Sequence, residues 1–177
     1  MTLASVVADR EAIGALPNPL GLLGIEFIEY ATSRPQALGQ VLERLGFVPV
    51  ARHRSREVQL YRQGDMHIIV NAHQGGLSGQ AAPSETPVIS AVAFRVRDAA
   101  SAYRRVLELG AWAVPTQVEV MELNIPAIHG VGASRIYFVD RHREFSIYDV
   151  DFVPIPGVAP RPLARHGLHL FGVVQYI

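Results

Sequence analysis

A strand-helix-strand pattern occurs twice along this chain, and an internal repeat of that kind constrains the fold more than any single motif does. GIEFIEYA, residues 24–31, alternates apolar with acidic or aromatic side chains, the period of a half-buried strand. Pro35 suits the first turn of a helix, and PQALGQVLERLG sets Leu38, Val41, Leu42 and Leu45 on one stripe before Gly46 supplies a stop. FVPVARH, EVQLYRQ and MHIIVNA follow as short strand-like runs, the last two divided by the turn pair Gly64-Asp65. The order then restarts. VISAVAFRV is strand-like, Asp98 is a good N-cap, and AASAYRRVLELG repeats the helix, with Ala102, Val106 and Leu109 on its apolar face and Gly110 as the stop. WAVPT, VEVMEL, RIYFVD and FSIYDVDFV read as further strands, with NIPAIHGVGAS as a loop between the second and third.

The fold class is therefore expected to be α+β: two tandem β-α-β-β-β modules with curved mixed sheets, one sheet from each half, helices outside, and a concave space between them of the kind that houses ligands. The expected divisions are a leader over 1–17, modules over about 18–74 and 87–153 joined by the Gly/Ser/Pro-rich GGLSGQAAPSETP, and a Pro-rich linker over 154–167. A last strand-like run, 168–177, looks like the first strand of a further module.

Composition removes several classes of function. Lys and Arg number 16 and Asp and Glu number 16, so no overall field attracts nucleic acid or an anionic membrane. With no cysteine, thiolate metal sites, disulfides and cysteine nucleophiles are excluded. No run approaches the roughly 18 apolar residues of a membrane span, and the N-terminus carries acidic residues where a signal peptide needs positive ones. A cytoplasmic protein is expected.

Five segments carry a resemblance: NPLGLLGIEFIEYA (18–31), LGFVPVARHRSREVQLYRQGD (45–65), AFRVRDAASAYRRVLELGA (93–111), MELNIPAIHGVG (121–132) and IYFVDRHREFSIYDVDFV (136–153). The chain resembles the bacterial 4-hydroxyphenylpyruvate dioxygenases, members of the vicinal oxygen chelate, or glyoxalase-like, group. Members of the family are about twice this long. The resemblance implies that this chain corresponds to the N-terminal half, structural and oligomer-forming, while the other half binds ferrous iron through two histidines and a carboxylate, leaving positions open for a 2-oxo acid and oxygen. In the family the first histidine ligand opens the first strand of the C-terminal half, and His169 in GLHLFGVVQY matches that position. The other two ligands would lie beyond Ile177.

A single imidazole cannot retain ferrous iron, so no cofactor is expected to bind this chain tightly by itself. Within the first half, the positions where such a module places ligands fall at about Glu26, at Ala91 or Val92, and at Tyr148 or Asp149. One of these is apolar, and Glu26, Glu29, Asp149 and Asp151 are expected to satisfy arginines or face water instead. His53, His67, His129 and His142 show no metal-ligand spacing and read as hydrogen-bonding residues. Arg52, Arg54 and Arg56, spaced by two, are expected to line one strand face and to pair with the acidic strand 24–31 or a neighbouring subunit.

The expected function, as the resemblance implies, is that of the N-terminal domain of a 4-hydroxyphenylpyruvate dioxygenase-like enzyme, whose family converts 4-hydroxyphenylpyruvate and oxygen to homogentisate and carbon dioxide in tyrosine breakdown. The domain itself is expected to be inactive alone and to assemble as a homo-oligomer. The alternative is a stand-alone two-module protein that binds a small molecule between its repeats. Membrane and nucleic-acid partners are not expected.

Overall fold

In the computed structural model, residues 17–72, 84–115, 124–142, 145–165 and 167–174 are described. The first repeat forms as the periodicity predicts: β1 (Leu22–Ala31), α1 (Pro35–Arg44), β2 (Val48–His53), β3 (Val58–Gln63) and β4 (Met66–Asn71). Gly46, at φ +95°, ends α1, and Gly64, at φ +55°, turns β3 into β4; both conformations are ones that side chains with a Cβ resist. The second repeat opens with β5 (Val88–Val96) and α2 (Ala99–Glu108). The Asp98 side chain accepts the Ser101 amide and Asp140 accepts the Ala99 amide, so two carboxylates satisfy the first turn of α2.

Beyond α2 the structure departs from the pattern. WAVPT contributes only an isolated bridge, Ala113 to Ile128, and the run VEVMEL lies outside the described residues but for its place in the sequence. A short strand, β6 (Ala127–His129), sits inside the segment expected to be a loop, and β7 (Arg135–Val139) follows. FSIYDVDFV, expected as a strand, instead makes a short helix, α3 (Ile147–Asp151), and then β8 (Phe152–Pro154). The reason is a capping box: the Ser146 amide and hydroxyl both donate to Asp149 Oδ2, at 2.7 and 2.8 Å, which fixes a helical first turn on a sequence whose alternation fits either state.

The expectation of one sheet from each half is corrected as well. All eight strands form one mixed sheet in the order β6-β7-β5-β1-β4-β3-β2-β8. The repeat survives as pairing: β1 runs parallel to β4 as β5 runs parallel to β7, and the two halves join antiparallel along β1 and β5. β8 then crosses back to extend the first half beside β2.

The helices cover one face of this sheet. Leu42 of α1 packs on Ile28, Tyr61, Ile68 and Val70, and Ala102 and Val106 of α2 pack on Val96, Ile128 and Phe138. On the opposite face Phe27, Val50, Leu60, Ile69, Ala91, Ala93 and Val139 form a third cluster, covered by Ile147 and Tyr148 of α3 and by Phe152. Where a ligand space between the repeats was expected, the described residues place this apolar cluster. No helix among the described residues is long and apolar enough to cross a membrane.

The expected leader, apart from Pro17, and most of the loop between the modules lie outside the described residues. Of the strand expected over 168–177, residues 175–177 lie outside the described residues and 168–174 form no regular structure; among the described residues no strand pairs with them, and an isolated strand has unmet hydrogen bonds.

Candidate functional site

The polar groups of the face opposite the helices gather at one end, in a row across four adjacent strands. Period-two alternation puts Arg95 of β5 on the same face as Ala91 and Ala93. On β4 it puts His67 with Ile69, and on β3 it puts Arg62 with Leu60; Arg62 and His67 are direct register partners. Glu26 reaches the row by a β-bulge. The register passes from Ile25–Phe94 to Phe27–Ala93, leaving Glu26 as the extra residue, and bulges of this kind re-aim a side chain.

Glu26 is 1% exposed and is held from two sides. Arg95 Nε donates to Glu26 Oε2 at 2.6 Å, and His67 Nδ1 lies 3.3 Å from Oε1. The same nitrogen is 2.9 Å from the Glu26 carbonyl, which accepts its proton. Burial by itself would raise the carboxyl pKa, but the hydrogen bonds and charges of His67 and Arg95 outweigh it and hold Glu26 below the ordinary carboxylate range.

Tyr148 roofs the row from α3. Its hydroxyl lies 3.1 Å from His67 Nδ1, its ring meets the imidazole edge-on at 4.9 Å, and the Arg62 guanidinium carbon sits 4.8 Å from the centre of the same Tyr148 ring. Burial pushes the Tyr148 hydroxyl well above the usual tyrosine range, and the nearby Glu26 carboxylate adds to the shift.

This arrangement can store a buried negative charge and orient an imidazole and a phenol. Ferrous iron needs more. Among the described residues no three His, Cys, Asp or Glu side chains are grouped to hold a metal ion, and the cation that faces Glu26 is the protein's own Arg95. Ala91, at a position weighed for a ligand, is fully buried in the apolar cluster. Tyr148 is roofing the row rather than standing on a last strand, and Asp149 is spent on the cap of α3. Glu29 accepts from Ser90 Oγ at 2.8 Å and Asn71 Nδ2 at 3.1 Å. The residues present do not fit a complete iron centre.

His169, the residue matched to an iron ligand, lies in the exposed segment 167–174, its Nδ1 3.5 Å from the Gly167 carbonyl. His53 packs edge-on against Phe152, and His129 and His142 sit outside the row. The arginine stripe does not form as expected. β4 and β3 separate β2 from the acidic strand β1, β2 ends at His53, and Arg54 Nε donates instead to the Val150 carbonyl at 2.6 Å.

Of the residues in this row, Glu26 and Tyr148 were expected at ligand positions, Tyr148 on a strand rather than on α3, and His67 as a hydrogen-bonding residue, which it is; Arg95 and Arg62 were not singled out. Counting by twos from Ala91 and Ala93 would have turned Arg95 inward, whereas the bulge at Glu26 leaves no sequence signal.

The family model described as hydroxyphenylpyruvate dioxygenase, N-terminal, matches residues 16–153. The chain belongs to this family. A 4-hydroxyphenylpyruvate dioxygenase of Pseudomonas sp. (strain P.J. 874) is 45% identical over 147 residues, covering 82% of this chain and 41% of that protein. Hemolysin VllY of Vibrio vulnificus (strain CMCP6) is 43% identical over 159 residues, covering 88% of this chain and 44% of that protein. Among solved structures, a xylose isomerase-like TIM barrel/4-hydroxyphenylpyruvate dioxygenase fusion protein superposes with a TM-score of 0.65 at 31% identity, over 81% of this chain and 23% of that one. The chain thus spans less than half the length of these two curated relatives.

Proposed function

We propose that this chain serves as the N-terminal, scaffolding domain of a 4-hydroxyphenylpyruvate dioxygenase-like enzyme, whose substrate is a 2-oxo acid and whose metal is ferrous iron. In this reading residues 18–153 form the domain, 154–167 connect it onward, and 168–177 begin a catalytic half. His169 is then the first of three iron ligands, and a second histidine and a carboxylate come from outside these 177 residues. The observation that carries the reading is the filled inner face, whose buried carboxylates are engaged by Arg95, Ser90 and Asn71. A face so occupied offers packing and stability rather than an open coordination site. Work in the cytoplasm and homo-oligomer formation belong to the same proposal and rest on membership of the family.

The test is direct. The 177-residue chain, given ferrous iron, ascorbate and 4-hydroxyphenylpyruvate under air, should take up no oxygen above a protein-free blank, and should retain far less than one iron per chain after desalting. Turnover, or iron held one-to-one, would overturn the reading. In a chain extended through the following coding sequence, His169→Ala should abolish both iron retention and oxygen uptake.

A further inference from the structure

Residues 155–165 hold three prolines, Pro156, Pro160 and Pro162, in a stretch that composition alone marks as a loose connection, yet the structure ties it down at successive points. The Ile155 amide donates to the Val50 carbonyl at 2.9 Å, prolonging the pairing of β8 with β2. Val158 packs against the inner-face cluster. Arg62 Nη1 donates to the Pro160 carbonyl at 3.0 Å, and the Gly64 amide donates to the Pro162 carbonyl at 2.9 Å. Farther on, Leu170 packs against the cluster under α1, on the other side of the sheet. The chain therefore passes from the inner face to the outer one around the β3–β4 turn, at the end where the polar row lies.

The seat on the first repeat is shaped for this path. A Cβ on Gly64 would stand 2.7 Å from Ala164 Cβ and 3.3 Å from its backbone nitrogen, and a Cβ on Gly46 would stand 2.5 Å from Gln63 Nε2 and 2.9 Å from Arg165 Cδ. At Gly64 the atoms met are a short side chain and backbone, so the clasp itself would have to shift, whereas at Gly46 the flexible Gln63 and Arg165 side chains would have to move. By contrast Gly110, which ends α2 at a similar left-handed φ of +91°, has nothing within 4 Å of its would-be Cβ. The two glycines of the first repeat thus serve a close approach as well as a turn.

We propose that residues 155–165 are a clasp: a segment that leaves the second repeat, docks on a seat formed by Arg62, Gly64 and Gly46 of the first, and closes the polar end of the inner face. Arg62 is the joint. One of its terminal nitrogens holds the Pro160 carbonyl while its guanidinium lies over the Tyr148 ring, so the position of the clasp and the packing of the buried row are set by one side chain. The direction in which the chain continues is then fixed by the first repeat, although it issues from the second.

Tryptic cleavage after Arg165 and hydrogen exchange at the Gly64 amide test this on the chain itself. The Gly64 amide of the unaltered protein should exchange far more slowly than an unstructured glycine. Gly64→Ala should speed cleavage about tenfold or more over Gly110→Ala, because both carry the left-handed strain but only the first meets Ala164. Adding Ala164→Gly to Gly64→Ala should restore slow cleavage. The proposal is overturned if Gly64→Ala and Gly110→Ala are cleaved alike, if the second substitution gives no rescue, or if the Gly64 amide exchanges at the unstructured rate, a measurement that needs no variant to fold.

Discussion

Arg95, on the first strand of the second repeat, donates from Nε to Glu26, on the first strand of the first, at 2.6 Å, so the seam between the repeats at β1 and β5 is crossed by a charge pair as well as by backbone pairing. Glu26 is essentially inaccessible while the Arg95 side chain is 24% exposed. Such a pair contributes less to net stability than its Coulomb attraction suggests, because both groups lose hydration. Its larger effect is on register. A slip of β5 by one residue along β1 would turn Arg95 to the helix-covered face and leave Glu26 buried without its cation.

Removing one partner should therefore cost far more than removing both. Arg95→Met leaves the Glu26 charge buried against His67 alone and should destabilise the chain by about 3 kcal/mol. Glu26→Gln/Arg95→Met, which removes both charges and keeps the volume, should recover most of that loss. Urea unfolding of the two single variants and the double variant gives the coupling, and a double variant as unstable as Arg95→Met would disprove the pairing argument.

The same pair predicts a pH dependence. Glu26 has its folded pKa held below the ordinary value of 4.5, so the unfolded state takes up a proton first as pH falls. The stability this group contributes is complete above pH 4.5 and is lost as pH drops through the folded pKa. Urea midpoints measured downward from pH 6 should fall below pH 4.5 in the unaltered protein, and should fall less steeply in Glu26→Gln. Equal slopes would show that other carboxylates carry the effect.

Legibility in the sequence divided along the range of the interactions. Both repeats' helices were readable because their signals are local: Pro35 and Gly46 bound α1, and Asp98 and Gly110 bound α2. The union of the two halves into one sheet was not, because the pairing of β1 with β5 depends on contacts between residues some sixty positions apart. At α3 the local signal was ambiguous: IYDVD alternates like a strand, and only the Ser146–Asp149 cap decides for a helix. The place of His67 and Arg95 in the row was hidden for a different reason. Each is a polar residue in an apolar strand, and its partner Glu26 faces it only because of a bulge.

The two helices also differ in how they begin. Asp98 caps α2, whereas α1 begins at Arg34 with no side-chain cap and relies on Pro35. Asp98→Ala should lower the urea midpoint with unchanged slope, because the Ser101 amide loses its acceptor, while Arg34→Ala, which removes no side-chain cap, should leave the midpoint close to that of the parent. A cap at Asp140 remains in the first variant, so a much larger loss would mean that the two carboxylates act as a unit.

Tyr148 gives the inner face a spectroscopic signature. The chain has six tyrosines, and the Tyr148 hydroxyl, pushed well above its usual range by burial and by Glu26, should stay protonated for as long as the fold persists. Tyr148→Phe should therefore leave the ultraviolet titration of the folded protein unchanged in amplitude up to the pH at which the parent unfolds. The variant should also lose about 1 kcal/mol of stability, since the hydroxyl's partner at His67 is left without it. If instead Tyr148→Phe removes one tyrosinate step with an ordinary midpoint, the hydroxyl reaches solvent, α3 does not cover the polar row, and the inner face is open to a ligand after all.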